Sequence, residues 1–235
     1  MKSWQAALGK QKDDSEWLSV SDLMAGLMMV FLIIAIAMIR SVMIEREKIR
    51  AIAESYHQSQ LAIYQSLQQE FGADLDAWGA SIDRDTLTVA FNNSDAMFKT
   101  GNAALSQNYQ QVLAQFFPRY LQVLQPYHDA IEAVRIEGHT SSGWLGSADE
   151  NNSYFNNLKL SQQRARSVLY FVYGLQSVQQ YHGWMKKNIA AVGYSSSKPV
   201  LNADGSENSE QSRRVAFRIV SNAEAQILTI LQESW

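Results

Sequence analysis

One acidic residue inside an otherwise uncharged run constrains this chain more than any other feature. The run opens Glu16-Trp17-Leu18-Ser19-Val20-Ser21-Asp22 and continues through seventeen residues, Leu23 to Ile39, without a charge or a proline. Leu18 to Ile39 is twenty-two residues, or ~33 Å of helix, enough to cross the hydrocarbon core of a bilayer. Trp17 suits one interface and Arg40 closes the other end. A carboxylate at membrane depth costs ~2.5–3.5 kcal/mol on insertion scales, and its default reading is ion or proton handling. The alternative is that Asp22 merely ends the span, because it lies only ~7–8 Å past Trp17 along the helix axis. A cleaved signal peptide, with Ala35-Ile36-Ala37 imitating a cleavage site, is opposed by the long polar leader, the acid and the length of the apolar run.

One helix cannot build an ion path. A carboxylate in lipid needs shielding by a partner helix, and Ala25 and Gly26 beside Asp22 allow close approach. Met24, Met28 and Met29 are adaptable packing residues or plain lipid contacts. Basic residues flank the span on both sides, Lys2, Lys10 and Lys12 before it and Arg40, Arg46, Lys48 and Arg50 after it. Their count weakly favours the C-terminal side as cytoplasmic. Beyond the span, residues 41–71 form a charged and then Gln-rich stretch without proline or glycine. Ile49, Ile52, Tyr56 and Ile63 share a helical spacing that fits a short dimeric coiled coil, with Ser59, Ser66 and Glu70 breaking the seam. A solvated helical spacer fits as well. Either would hold the C-terminal part of the chain up to ~45 Å from the membrane.

The 235 residues suffice for an anchor and one domain of ordinary size. A net charge of −3 gives no footprint for nucleic acid. With no cysteine there is neither a disulfide nor a thiolate metal site. His57, His128, His139 and His182 lack ligand spacing, so no metal site is expected. No Gly-rich phosphate loop, nucleophile elbow or acid–base constellation appears. The chain is therefore expected not to be an enzyme, with no catalytic residue and no cofactor.

Gly72 and Gly79 punctuate the change to a folded domain. Leu87 to Phe91 alternates as a strand should. Residues 106–124 read as a helix with Leu113, Phe116, Phe117, Tyr120 and Leu124 on one face, and Pro118 predicts a kink or break. Residues 133–137, 189–192 and 215–220 read as strands, and 160–175 as a helix capped at or just before Ser161. The order is β-α-β-α-β-β, an α+β sandwich with helices on one face of a mixed sheet. The expected division is a leader over 1–16, a transmembrane helix over 17–40, a helical linker over 41–71, the domain over 72–221, and a helical tail over 222–235.

Ile136-Glu137-Gly138-His139-Thr140, followed by Asn157-Leu158-Lys159-Leu160-Ser161-Gln162-Gln163-Arg164-Ala165, resembles the OmpA-like peptidoglycan-binding domain. That family carries a Gly-His-Thr segment and then N-x-x-L-S-x-x-R-A at the start of a helix. Phe98 to Leu105 resembles its F-x-x-G-x-A-x-L segment, Ala190 to Pro199 its glycine-containing strand and turn, and Ser212 to Phe217 its N-R-R-V-E-I strand. The resemblance covers about residues 80–221. It implies that Arg164 pairs with a carboxylate of the peptidoglycan stem, for which a planar fork of donors is suited. Asn157 would add amide contacts and Leu160 would fix the helix start, chiefly by packing. His139 would be structural, and Arg213 and Arg214 would line the site or pin the sheet edge. The family's Asp after His-Thr, which would meet the ligand's ammonium, is Ser141 here. The loop over 142–155 is enlarged, and Asp149 or Glu150 is the candidate replacement.

The N-terminal pattern W-x-x-x-x-D-L-M-x-x-x-M-x-x-F, carried by Trp17, Asp22, Leu23, Met24, Met28 and Phe31, together with this domain resembles the MotB family of stator B-subunits. The resemblance implies that Asp22 binds a translocated proton or sodium ion. It implies two B chains within five copies of a multi-span MotA-like partner, and a peptidoglycan anchor that holds the dimer still. It also implies a bacterial inner-membrane protein with a cytoplasmic N-terminus and a periplasmic domain. Ser21-Asp22-Leu23-Met24 departs from the flagellar Y-A-D-F-M. With the short chain and the Gly-His-Thr-Ser variant, this is more similar to the stator-like subunits of Zorya anti-phage defence systems. A flagellar stator subunit and a passive membrane-to-wall tether remain alternatives.

Overall fold

The computed structural model describes residues 3–92, 94–99, 101–144 and 149–222. The tail expected over 222–235 lies outside the described residues from 223 onward. The chain divides into two compact units, one holding residues 1–52 and the other residues 53–226.

In the first unit, helix α1 (Ser3–Phe71) begins and contains the apolar run. Among the described residues it is the one helix long and apolar enough to cross a membrane, and none of its most apolar stretch is buried. Trp17, Leu23, Met28 and Phe31 are each more than half exposed, and Asp22 is exposed with them. An apolar surface of this length needs lipid or protein around it.

The second unit is built on a five-stranded sheet. After a one-turn helix α2 (Leu75–Trp78), strands β1 (Ala80–Asp83) and β2 (Thr88–Phe91) form a hairpin. The short helix α3 (Ser94–Met97) and helix α4 (Gln107–Leu124) lead to β3 (Ile131–Gly138). Helix α5 (Glu150–Tyr173), helix α6 (His182–Asn188), β4 (Ile189–Gly193), a turn of helix α7 (Ser209–Ser212) and β5 (Val215–Ser221) follow among the described residues. The spatial order is β1-β2-β5-β3-β4. Only β3 and β4 run parallel, while β1–β2, β2–β5 and β5–β3 are antiparallel. This is the expected α+β sandwich with one added strand. β1 has only four residues, Ala80-Ser81-Ile82-Asp83, so its alternation is too short to stand out in the sequence. The Asp83 carboxylate accepts from the Thr86 N–H and hydroxyl, both at 2.7 Å, and this fixes the hairpin loop.

Two helices differ from their expectation. α4 runs through Pro118 without a break. Phe116, Phe117, Tyr120 and Leu121 around it are fully buried, each contributing ~1.5–3 kcal/mol. Together they outweigh the ~3 kcal/mol that an interior proline costs. α5 starts about ten residues earlier than its apolar pattern indicates. Asp149 caps it by accepting from the Asn151 N–H at 3.0 Å, so the last part of the supposed loop, from Glu150 on, is helix. Ser161 lies mid-helix and caps nothing.

The last turns of α1 are not a spacer. Ile63, Leu67 and Phe71 are 3%, 0% and 0% exposed and belong to the domain core. The Phe71 ring sits 5.0 Å from that of Phe116. Ser66 Oγ lies 3.1 Å from the Tyr127 hydroxyl. Arg119 forks onto the Glu70 carboxylate at 2.6 Å, the Glu70 carbonyl at 2.7 Å and the Asp74 carboxylate at 2.8 Å. Its guanidinium also lies 4.9 Å from the centre of the Phe71 ring. The residues that break the expected seam, Ser66 and Glu70, are those that bind the domain. Phe71→Ala should therefore destabilise the folded domain by ~3–5 kcal/mol, whereas Tyr56→Ala should cost less than ~1 kcal/mol. Urea unfolding of the full chain followed by tryptophan fluorescence checks this. Equal midpoints for the Phe71 variant and the wild type would restore the spacer.

Candidate functional site

The site is organised by a contact between α5 and the parallel strand pair. Gly138 and Gly193 are paired across β3 and β4, and both face the middle of α5. A β-carbon at Gly138 would stand 2.2 Å from the Ser161 carbonyl oxygen, and one at Gly193 would stand 2.5 Å from the Gln162 nitrogen. The helix backbone thus rests in a slot that only two glycines leave open. Ser161, fully buried, donates to the Leu158 carbonyl at 2.8 Å and accepts from the Ser195 N–H at 3.1 Å. Ser195 holds a positive φ of 53°. Its hydroxyl donates to the Tyr154 carbonyl at 2.7 Å, and its carbonyl accepts from the Thr140 N–H at 2.9 Å. Strand end, turn and helix are tied at one residue.

This seat aligns the motif residues. Asn157, Leu160, Ser161, Arg164, Ala165 and Val168 form the buried stripe of α5. Asn157 Nδ2 donates to the Ser141 carbonyl at 3.1 Å. The next peptide N–H, of Ser142, is held 3.2 Å from the Glu207 carboxylate, and Ser142 Oγ donates to the same group at 2.5 Å. The turn after Gly-His-Thr is therefore gripped by an amide from α5 and an acid from the 201–207 hairpin. Leu160 is 8% exposed and packs, as expected. Arg164 is 5% exposed. Its Nε donates to the Asn102 carbonyl at 3.1 Å, and its guanidinium lies 4.7 Å from the centre of the Phe98 ring.

Asp149 and Glu150 lie at the far end of the same helix. Fourteen residues from Glu150 to Arg164 amount to ~21 Å along the axis, too far for one amino-acid head group to bridge. Asp149 is the helix cap and neither residue is placed to stand in for the acid absent at Ser141. Asp22 belongs to the other unit. His139 is structural, 2% exposed, stacked 5.2 Å from the Tyr194 ring and 3.3 Å from Glu137. Its N–H donates to the Arg214 carbonyl at 3.0 Å. Arg214 in turn donates to the Ser212 and Lys198 carbonyls, both at 3.3 Å, so it pins the strand end. Burial holds the His139 imidazole below the usual histidine value. The Arg214 and Lys198 charges act in the same sense, against the pull of Glu137.

Phe98, Asn102, Ser195 and Glu207 shape this region, although the sequence alone assigns none of them a role. Phe98, Asn102 and Ser195 lie inside segments that resemble the family, which is their only signal. Glu207 lies in a polar turn with no periodicity.

The OmpA family matches residues 97–214. The Zorya protein ZorB of Escherichia coli is 48% identical over 224 residues, covering 95% of each chain. A putative MotB-like protein from Desulfovibrio vulgaris is 19% identical, with 73% of this chain and 94% of that one covered and a TM-score of 0.49. The cell wall anchor of the T6SS from Pseudomonas aeruginosa is 21% identical, with 66% and 96% covered and a TM-score of 0.45.

Gly138→Ala should force α5 off the sheet and cost more than the ~1–3 kcal/mol of ordinary overpacking. A thermal midpoint within a degree of wild type would refute the slot. A second expectation concerns pH. The unfolded chain protonates His139 near pH ~6.5, and the folded chain does so only at lower pH. Folding stability should therefore fall as pH drops below ~6.5. His139→Asn should flatten that slope between pH ~6.5 and ~5, as read from urea midpoints. An unchanged slope would assign it elsewhere, to His128 for example, which burial shifts in the same direction.

Proposed function

The chain belongs to the ZorB family and its C-terminal domain to the OmpA family, and from that membership we propose that it is a stator-type B-subunit. In this reading it lies in a bacterial inner membrane with its N-terminus in the cytoplasm. Its domain is periplasmic and anchored to peptidoglycan, and the system it serves is an anti-phage defence of the Zorya type. The observation that carries the proposal is the length of the match: at 95% of both chains, it takes in the span with Asp22 as well as the domain. The same match favours a Zorya-type subunit over a flagellar one.

Two ends of the molecule divide the work. Asp22 takes up and releases a translocated proton or sodium ion. It lies on an unburied apolar helix, where a carboxylate needs surrounding protein. That protein is a multi-span MotA-like partner, five copies around two of this chain. The domain resists the resulting force by holding the wall. Arg164 pairs with a stem carboxylate through its guanidinium, oriented by Phe98 and Asn102. Asn157 shapes the neighbouring turn, and Leu160 supports the helix.

Asp22→Asn keeps the shape and removes the charge. It should still co-purify with the MotA-like partner and abolish protection against phage in cells. Full protection would sink the ion role, and loss of assembly would make Asp22 structural. At the other end Arg164→Lys is the cleaner probe, because alanine would empty a buried site. It should retain the fold and lose about tenfold in sacculus binding, since ammonium keeps the charge and loses the fork. Wild-type chain that ignores sacculi would remove the wall anchor.

A further inference from the structure

The outer face of α5 carries a second feature that stem-peptide binding does not use. Gln163, Arg166, Ser167 and Tyr170 follow one another at helical spacing and line a cavity of about 1040 Å³. Its opposite wall is the loop from Gly101 to Leu105. Gln163, Arg166, Ser167, Tyr170 and Phe171 of α5 and the Gly174 that follows it border the cavity, which therefore runs ~16 Å along the helix. Tyr170 is 84% exposed, more than any other large apolar side chain among the described residues. Its ring also borders a second cavity of about 310 Å³, shared with Arg166. It forms a ridge between two hollows.

The groove borders residues that touch Arg164. Asn102, which lines it, accepts from Arg164 through its carbonyl, and Gln163 is the helix neighbour of Arg164. The lining has the chemistry of sugar recognition. An exposed phenol offers a flat apolar face with a polar edge, which suits the C–H face of a pyranose. The amides of Gln110 and Gln163, the Arg166 guanidinium and the Ser167 hydroxyl supply donors and acceptors for ring hydroxyls.

We infer that this groove binds the glycan backbone of the same polymer whose peptide stem Arg164 holds, with Tyr170 as the stacking platform. The inference rests on the peptidoglycan reading and adds a sugar subsite to it. Recognition of both parts of the polymer would orient the domain on the wall, because the peptide branches from the glycan at a fixed bond.

The test uses the full chain in detergent with three probes: intact sacculi, stem-free glycan strands from amidase digestion, and the sugar-free stem peptide. Tyr170→Ala should weaken binding of glycan strands and of sacculi about tenfold and leave the stem peptide unchanged, while Arg164→Lys should weaken the stem peptide. Equal glycan affinity in Tyr170→Ala and wild type overturns the subsite, and so does an equal loss for glycan and stem peptide. If Tyr170→Ala instead reduces cross-linking between copies with glycan binding intact, the face is a contact between two chains and the inference fails. Wild type that binds stem peptide but no glycan strand removes this subsite alone. Wild type that binds neither removes the wall reading with it.

Discussion

The approach of α5 to the sheet at Gly138 and Gly193 fixes the positions of the other motif side chains in the domain. A helix normally stands off a sheet by the thickness of the side chains between them, but here the Ser161 carbonyl and the Gln162 nitrogen occupy the space where two β-carbons would be. The rotation and height of α5 follow from that contact. Once Ser161 is seated, Asn157 falls one turn away at the 141–143 turn, and Arg164 falls one turn the other way against Phe98 and Asn102. The positive φ of Ser195 belongs to the same arrangement, because it aims one N–H at Ser161 and one carbonyl at Thr140. A local backbone cost is offset by three hydrogen bonds that close the turn.

The polar groups of the domain have two different jobs. Those beneath the turn are nearly dry, and Glu137, His139, Ser161 and Ser195 are each under 4% exposed. In such surroundings a lone polar atom is costly and a paired one is rigid. Those on the outer face of α5, Gln163, Arg166 and Tyr170, remain wet. A helix with one buried and one exposed polar face can be altered on the second with little effect on the first.

Much of this was legible in the sequence, for reasons that vary along the chain. β3, β4 and β5 were visible as short apolar runs, and α4 as a strong apolar stripe, since period and burial agree there. β1 was not, because its alternation lasts only four residues, too few to tell from chance. The start of α5 was missed because the stretch Asn151 to Asn157 has poor intrinsic helix propensity; a capping Asp149, whose carbonyl also accepts from the Ser153 hydroxyl, and tertiary contacts at Tyr154 and Asn157 form it instead. That error placed Asp149 and Glu150 in a loop free to reach Arg164. The fate of Ile63, Leu67 and Phe71 could not be settled by spacing alone, since a coiled-coil seam and a domain-facing stripe look alike. Glu207 acts across sixty-five residues of sequence, a distance over which no local pattern reports.

The docking of the final turns of α1 bears on how the domain would carry a load. Ile63, Ser66, Leu67, Glu70 and Phe71 engage the domain along more than two turns of one rod. A pull along that rod loads every contact in shear at once and does not peel them off in sequence. Bonds loaded in parallel share the force and give way together, so the junction behaves as a stiff coupling with a sharp yield point and little elastic give.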